Sequence, residues 1–191
     1  MAKVIFDISM SLNGFITSAN PRPDAGLGDG GERLHDWGFY STDPRNHELM
    51  RWYTTVGVNI FGRTGYDHSI VYWGADGPSG SARIPTIIVS HSVPQNIPEN
   101  GVYTFVDSIK SAFETAQKLA GDKDIYITGA NVAQQFLKHG LVDEISIHLV
   151  PVLFGSGTRL FELQDSEYIA LETLKVIETK DATHLRFRVI K

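Results

Sequence analysis

Five short runs rich in β-branched and aromatic residues constrain this chain more than any other feature, because three of them lead at once into segments of helical spacing. The clearest runs from Asp124 to Gly140, DIYITGANVAQQFLKHG. Its apolar stretch stops at Thr128-Gly129-Ala130, and Val132, Phe136 and Leu137 then recur on one helical face. Lys138 and His139 fall in the last turn and Gly140 just beyond it, which suits a helix C-terminus. Val56 to Gly62 (VGVNIFG) precedes a short helical segment in the same way. Val102 to Val106 (VYTFV) leads to Asp107 or Ser108 as a cap, then to Ile109, Ala112, Phe113, Ala116 and Leu119 at helical spacing. Strands that feed helices and return to strands predict an α/β fold with a mixed, mostly parallel sheet and helices on both faces.

The remaining segments fill in that plan. Val4 to Met10 reads as a first strand, with Val4, Phe6, Ile8 and Met10 on one face and Asp7 on the other. Pro85 to Ser90 (PTIIVS) is a further buried strand. Asp43-Pro44 predicts an N-cap followed by proline at the first helical position, with the helix reaching Thr55 and turning Leu49, Met50 and Tyr53 to the core. Between these lies Asn20 to Gly38, rich in Pro, Gly and Asp and without periodicity, which is expected to be a lid, a binding loop or disordered. The last third changes character. Ile145, Ile147 and Leu149 alternate with Ser146 and His148, and Leu185, Phe187 and Val189 alternate with Arg186 and Arg188. That pattern predicts antiparallel C-terminal strands with one face partly solvated. No linker divides the chain, so residues 1–191 are read as one domain.

Composition excludes several functions. The 191 residues are 42% hydrophobic and 20% charged, enough for a substantial core. A net charge of −5 without a Lys/Arg cluster argues against nucleic acid as a partner. There is no cysteine, which removes disulfides, thiol nucleophiles and thiolate metal sites. The seven histidines form no HExxH or comparable pair, so no metal is expected. No apolar run is long enough to span a membrane and no secretory signal is evident, so a cytoplasmic protein is expected.

Two glycine-containing stretches compete as phosphate sites. GLGDGG (Gly26 to Gly31) spells G-x-G-x-x-G, but NPRPDA before it cannot be a buried strand, and Asp24, Asp29 and Glu32 bring negative charge. It is read as a permissive loop. Thr128-Gly129-Ala130-Asn131 has the required context, a strand delivering the chain to a helix N-terminus that favours an anion. Gly62-Arg63-Thr64 repeats the arrangement and adds a guanidinium. Ser90-His91 ends a third strand with hydrogen-bonding groups. All three lie at strand carboxyl ends, the rim at which open α/β sheets bind ligands.

Taken with SLNGFI, FGRTGYD and TIIVSHS, the segment IYITGANVAQQFLKHGLVDEISIHLVPVLFGSGTRLF resembles the dihydrofolate reductase-like superfamily. It is most similar to the branch holding the reductase domain of the riboflavin-biosynthesis deaminase-reductase. The resemblance implies a dihydrofolate reductase-like fold and an NADPH-dependent reductase acting on a pterin or on a 5-amino-6-(5-phosphoribosylamino)uracil-like intermediate, commonly as a homodimer. It implies that Gly62, Arg63, Thr64, Thr128, Gly129, Ala130, Asn131 and Val132 hold the cofactor's phosphates, with Ser90 and His91 near its 2′-phosphate. The family's SLDG is SLNG here, with Asn13 in place of the acid. A carboxylate that true dihydrofolate reductases carry on the first helix falls at Asn46 in an ungapped count. The cysteine-dependent deaminase half is missing, so a stand-alone reductase is expected. The alternatives are a true dihydrofolate reductase and a non-catalytic nucleotide-binding module.

Reduction by a nicotinamide needs no nucleophile and no metal from the protein, only binding, orientation and a proton. Asp7, a carboxylate in mid-strand, is the candidate general acid. Its alternative is a hydrogen-bonded or edge-solvated strand residue. Trp37 and Trp52 could stack on a planar substrate or anchor the core, with Trp37 favoured for the substrate. Asp43 is either the helix cap or a substrate ligand. Asn13, Gly155 and Arg159 complete the substrate candidates, Arg159 and the Gly155–Thr158 turn reading either as a phosphate site or as an ordinary turn.

Overall fold

A computed structural model describes residues 2–161 and 168–191. The strands are β1 (Val4–Ser11), β2 (Val58–Gly62), β3 (Thr86–Val89), β4 (Tyr103–Val106), β5 (Ile125–Ile127), β6 (Glu144–Val150), β7 (Leu171–Glu178) and β8 (Thr183–Val189). The helices are α1 (Asp36–Phe39), α2 (Pro44–Trp52), α3 (Arg63–Trp73), α4 (Ile109–Ala120) and α5 (Ala130–Lys138). One sheet runs in the order β4-β3-β2-β5-β1-β6-β8-β7. Its first six strands are parallel, and β8 and β7 are antiparallel additions. The α/β fold with a mixed, mostly parallel sheet is therefore as expected.

The order of connections decides which face each helix covers. The chain moves from β1 to β2, β3 and β4 in one direction, then returns through β5 to β6 in the other. Right-handed crossovers put α2 and α3 on one face and α4 and α5 on the opposite one. The α4/α5 face is apolar throughout. Val4, Phe6, Ile60, Ile127, Ile145 and Ile147 pack there against Ala112, Ala116, Val132, Ala133 and Phe136. The α2/α3 face holds two smaller clusters, one around Leu34, Trp37, Val150 and Phe154, the other around Phe61, Tyr66 and Ile88. Between them the sheet presents polar side chains.

Three local readings are revised. The segment 20–38 is not featureless. A 3-10 turn at Gly31–His35 and helix α1 drive Leu34 and Trp37 into the core, at 0% and 3% exposure. Leu119 stands out in solvent, and Ala120 takes the buried place on α4. Strand β7 was not anticipated. Every residue of LETLKVIE except Ile177 is exposed, so no burial pattern marks it. Among the described residues no helix is long and apolar enough to cross a membrane.

Candidate active site

Strands β5 and β1 are neighbours, but α5 leaves β5 on one face while the chain leaving β1 passes to α2 on the other. Their carboxyl ends thus flank a topological switch point, the position where such sheets open a crevice. Two helices begin beside it without a side-chain cap, α3 after Gly62 and α5 after Gly129. The other long helices are capped, α2 by Asp43 and α4 by Ser108. The free N–H groups of α3 and α5 stay available to an anion. The two turns are adjacent. A Cβ on Gly62 would lie 3.2 Å from Val132 Cγ2, and the Thr128 N–H donates to the Ile60 carbonyl at 3.2 Å. Gly129 has φ +89° with nothing within 4 Å of a would-be Cβ, so the backbone there is both open and restricted to glycine.

Arg63 joins the third strand end to this pair. Its Nε donates to Asp67 at 2.7 and 2.9 Å, and Nη1 reaches the Ser92 carbonyl at 2.9 Å and Ser90 Oγ at 3.4 Å. Nη2 makes no hydrogen bond among the described residues. Thr64, His91 and Asn131 are exposed on the same rim, Asn131 accepting from Gln135 at 2.7 Å. GLGDGG has no strand before it; Asp29 is ion-paired with Arg22 at 2.6 Å, and Gly28 packs against the Ala19 carbonyl.

Asn13, Gly155 and Arg159 also come together, past the end of β1. Asn13 Nδ2 donates to the Phe154 carbonyl at 2.7 Å, and its Oδ1 accepts from the Phe154 N–H at 3.2 Å. An aspartate could not make the first of these bonds, which is a physical reason for asparagine here. The Arg159 guanidinium lies over Phe15, 4.7 Å from the ring centre, and has no carboxylate partner among the described residues. Gly155 is exposed beside them.

The polar face of the sheet joins Asp7 to partners that sequence patterns did not connect with it. Asp7 is 3% exposed and accepts hydrogen bonds from the Tyr53 hydroxyl and from His148 Nε2 at 3.2 and 3.3 Å. Burial would raise its carboxyl, but the charge and hydrogen bonds of His148, with Tyr53 and Ser146, outweigh it and hold Asp7 below the usual carboxylate range. An ionised Asp7 has no proton to give, so it does not fit the general acid expected of it. His148 Nδ1 lies 2.7 Å from His184 Nδ1, and His184 Nε2 lies 2.8 Å from Asn46 Oδ1. Burial, then the charge of His148, push His184 down to about 4. The Tyr53 hydroxyl is raised well above its ordinary value by burial and by Asp7.

Trp37 closes over this row. Its Nε1 donates to Ser9 Oγ at 2.9 Å, and its ring centre lies 4.2 Å from that of His148. With that face occupied and 3% exposure, Trp37 is a core anchor rather than an open stacking surface. Trp52 is half-buried, packed on Tyr53 and Tyr126. Asp43 serves as the α2 cap, accepting from Arg45 N at 2.9 Å and from its guanidinium at 2.5 Å. Those bonds lower it to about 2, and its carboxylate is engaged at the start of α2. The strand positions Ser146 and His148, expected on a partly solvated face, are instead 7% and 1% exposed under α1 and α2. A Ser-x-His alternation reads alike in both cases, so only the covering helices distinguish them.

Comparison with known proteins supplies the wider frame. The family model described as "RibD C-terminal domain" matches residues 2–185. The protein YwjB of Bacillus subtilis (strain 168) is 29% identical over 175 residues, covering 91% of each chain. A candidate riboflavin biosynthesis protein from Shewanella sp. PV-4 superposes with TM-score 0.69 at 23% identity, over 100% of both chains. Dihydrofolate reductase from Enterococcus faecalis, complexed with NADP(H), shares the fold with TM-score 0.62 at 13% identity, over 99% of this chain and 97% of that one.

Proposed function

Since the chain belongs to the RibD C-terminal domain family, we propose that it is an NADPH-dependent reductase acting on a C=N-type centre in a ribosylaminopyrimidine of the riboflavin pathway or in a related pterin. The observation that carries this reading is the pairing of two uncapped helix N-termini at one switch point, with Gly62 against Val132 and Arg63 reaching Ser90. That cradle fits a dinucleotide. Gly62, Arg63 and Thr64 would hold one side of its phosphates, and Thr128, Gly129, Ala130, Asn131 and Val132 the other. Arg63 Nη2, Ser90 and His91 would meet a 2′-phosphate. When bound, the cofactor supplies the hydride; the chain supplies position, exclusion of water and a proton. Arg159 and Asn13 are the proposed anchor for a substrate phosphate, and a cytoplasmic homodimer completes the reading.

The dihydrofolate reductase alternative is disfavoured by α2. Asn46 occupies the expected carboxylate position, is fully buried, and spends its amide on His184, Ser41 and Asp181. NADPH titration followed by intrinsic fluorescence, then absorbance of the reduced nicotinamide with each candidate substrate, tests the proposal. Oxidation with a ribosylaminopyrimidine or pterin supports it. Oxidation with dihydrofolate alone supports the alternative, and binding without oxidation of any substrate supports a non-catalytic module. No binding at high micromolar NADPH sinks the proposal itself.

A further inference from the structure

The hydrogen bonds beneath α2 form one connected row whose donors and acceptors can be assigned from its outer end. Ser41 Oγ donates to Asp181 Oδ2 at 2.5 Å. Asn46 Nδ2 donates to Ser41 Oγ at 2.8 Å and to Asp181 Oδ2 at 3.3 Å. A carboxylate only accepts, so the Asn46 amino group faces Asp181 and its carbonyl faces His184. That carbonyl also only accepts, so His184 Nε2 carries a hydrogen. His184 is neutral at ordinary pH, which leaves Nδ1 as a lone pair. The 2.7 Å contact with His148 Nδ1 then requires a hydrogen on His148 Nδ1. At its other nitrogen, His148 faces both oxygens of Asp7. Tyr53 has one hydrogen, and it is directed to Asp7. With that hydrogen spent, the Tyr53 oxygen, 3.0 Å from His148 Nε2, is an acceptor there like both Asp7 oxygens. One more proton must therefore sit on the His148 Nε2 side, facing Asp7 and Tyr53.

We propose that Asp181, Asn46 and His184 are positioning residues that oblige His148 to hold a second ring proton against Asp7. Through the Tyr53 hydroxyl, this proton is the one a substrate nitrogen takes up. The second part rests on the reductase reading above. When the carbon of a C=N bond gains a hydride from a reduced nicotinamide, the π electron pair moves to nitrogen, which must gain a proton. Tyr53 passes its hydroxyl proton to that nitrogen and takes the Nε2 proton of His148, which is left neutral until solvent restores it. Tyr53 is half-buried, whereas Asp7, His148 and His184 are buried. The Tyr53 ring packs on Tyr126, two residues before Thr128 at the Gly129 turn, with ring centres 5.4 Å apart. The groups facing His148 are Asp7 from β1, Tyr53 after α2, Trp37 from α1 and His184 from β8, with His35 of the preceding 3-10 turn near enough to feel its charge.

The wiring is tested without cofactor, by long-range proton–nitrogen NMR of histidine-labelled protein at neutral pH. We expect both His148 nitrogens protonated and His184 protonated at Nε2 alone; a singly protonated His148 overturns the proposal. In Asp181→Asn, whose side chain lies in the β7–β8 turn, the obligate acceptor is gone and the amide row can reverse. The expected spectrum has His184 protonated at Nδ1 and His148 at Nε2 alone, and an unchanged spectrum overturns the wiring. Turnover of a ribosylaminopyrimidine should fall about a hundredfold in this variant, the lower end of what a positioned acid contributes, with NADPH affinity within about twofold of wild type. Reversed tautomers with unchanged turnover overturn the delivery of the proton. Wild-type protein that binds no NADPH removes the reductase reading and proton delivery together, a failure seen in a different measurement from the wiring.

Discussion

At neutral pH His184 is buried as a neutral ring, and its lowered pKa ties stability to acidity. The unfolded chain protonates its histidine near 6.5, whereas the folded chain resists until about 4. Stability is therefore full above that window and is lost as pH falls through it, because the unfolded state binds the extra proton. Asp7, held below its ordinary 3.8, extends the loss to lower pH, since its stabilisation exists only while it is ionised. Urea midpoints recorded downward from neutral pH should decline across this range, and His184→Gln should flatten the part between 6.5 and 4. A wild-type midpoint that stays level there would exclude the coupling. Arg63 carries a second prediction at this scale. With Nε and Nη1 engaged by Asp67, Ser90 and Ser92, Arg63→Ala should weaken NADPH more than NADH; equal weakening would put the guanidinium on the pyrophosphate instead.

Elements differ in how plainly the sequence announces them, and the cause is physical. Strands β1, β2, β3 and β5 are β-branched runs buried on both faces, and α4 and α5 show an apolar stripe. The turns after β2 and β5 follow a local strand–glycine–helix grammar, so the rim proposed for the phosphates was legible from short stretches. The row under α2 was not. Its members stand at positions 7, 46, 53, 148 and 184, and each taken alone resembles a solvated strand residue, a helix residue or a core tyrosine. Caps and turns also offer clean tests of local energetics. Ser108→Ala removes the bond to Ser111 N that starts α4 and should cost about 1 kcal/mol in urea unfolding. Gly157→Ala should cost about 2 kcal/mol or more. Its Cβ would fall 2.0 Å from the Thr17 carbonyl oxygen at φ +146°, detaching the 154–160 turn from residues 14–18. A Gly157→Ala protein as stable as wild type would show that this turn shifts freely.

As a whole the molecule sets an apolar face under α4 and α5 against a polar face under α1 and α2, and its sheet ends at β7, an edge strand that no other strand among the described residues pairs beyond β8. Leu171, Leu174 and Val176 of β7 are 44%, 36% and 56% exposed, and a long apolar edge invites pairing with another chain. If the homodimer forms over this edge, sedimentation should give twice the chain mass, and Val176→Lys should return it to the mass of one chain. A wild type that sediments as a single chain would remove the dimer from the reading. Trp37 gives the polar face an optical property as well. A cation over an indole is held by the ring's quadrupole, and a protonated imidazole in contact with it quenches its emission. With Trp52 and Trp73 changed to phenylalanine, the remaining tryptophan, its ring centre 4.2 Å from that of His148, becomes a built-in lamp for the His148 proton. It would brighten as that proton leaves, so events at the buried row could be timed in a stopped-flow trace by light alone.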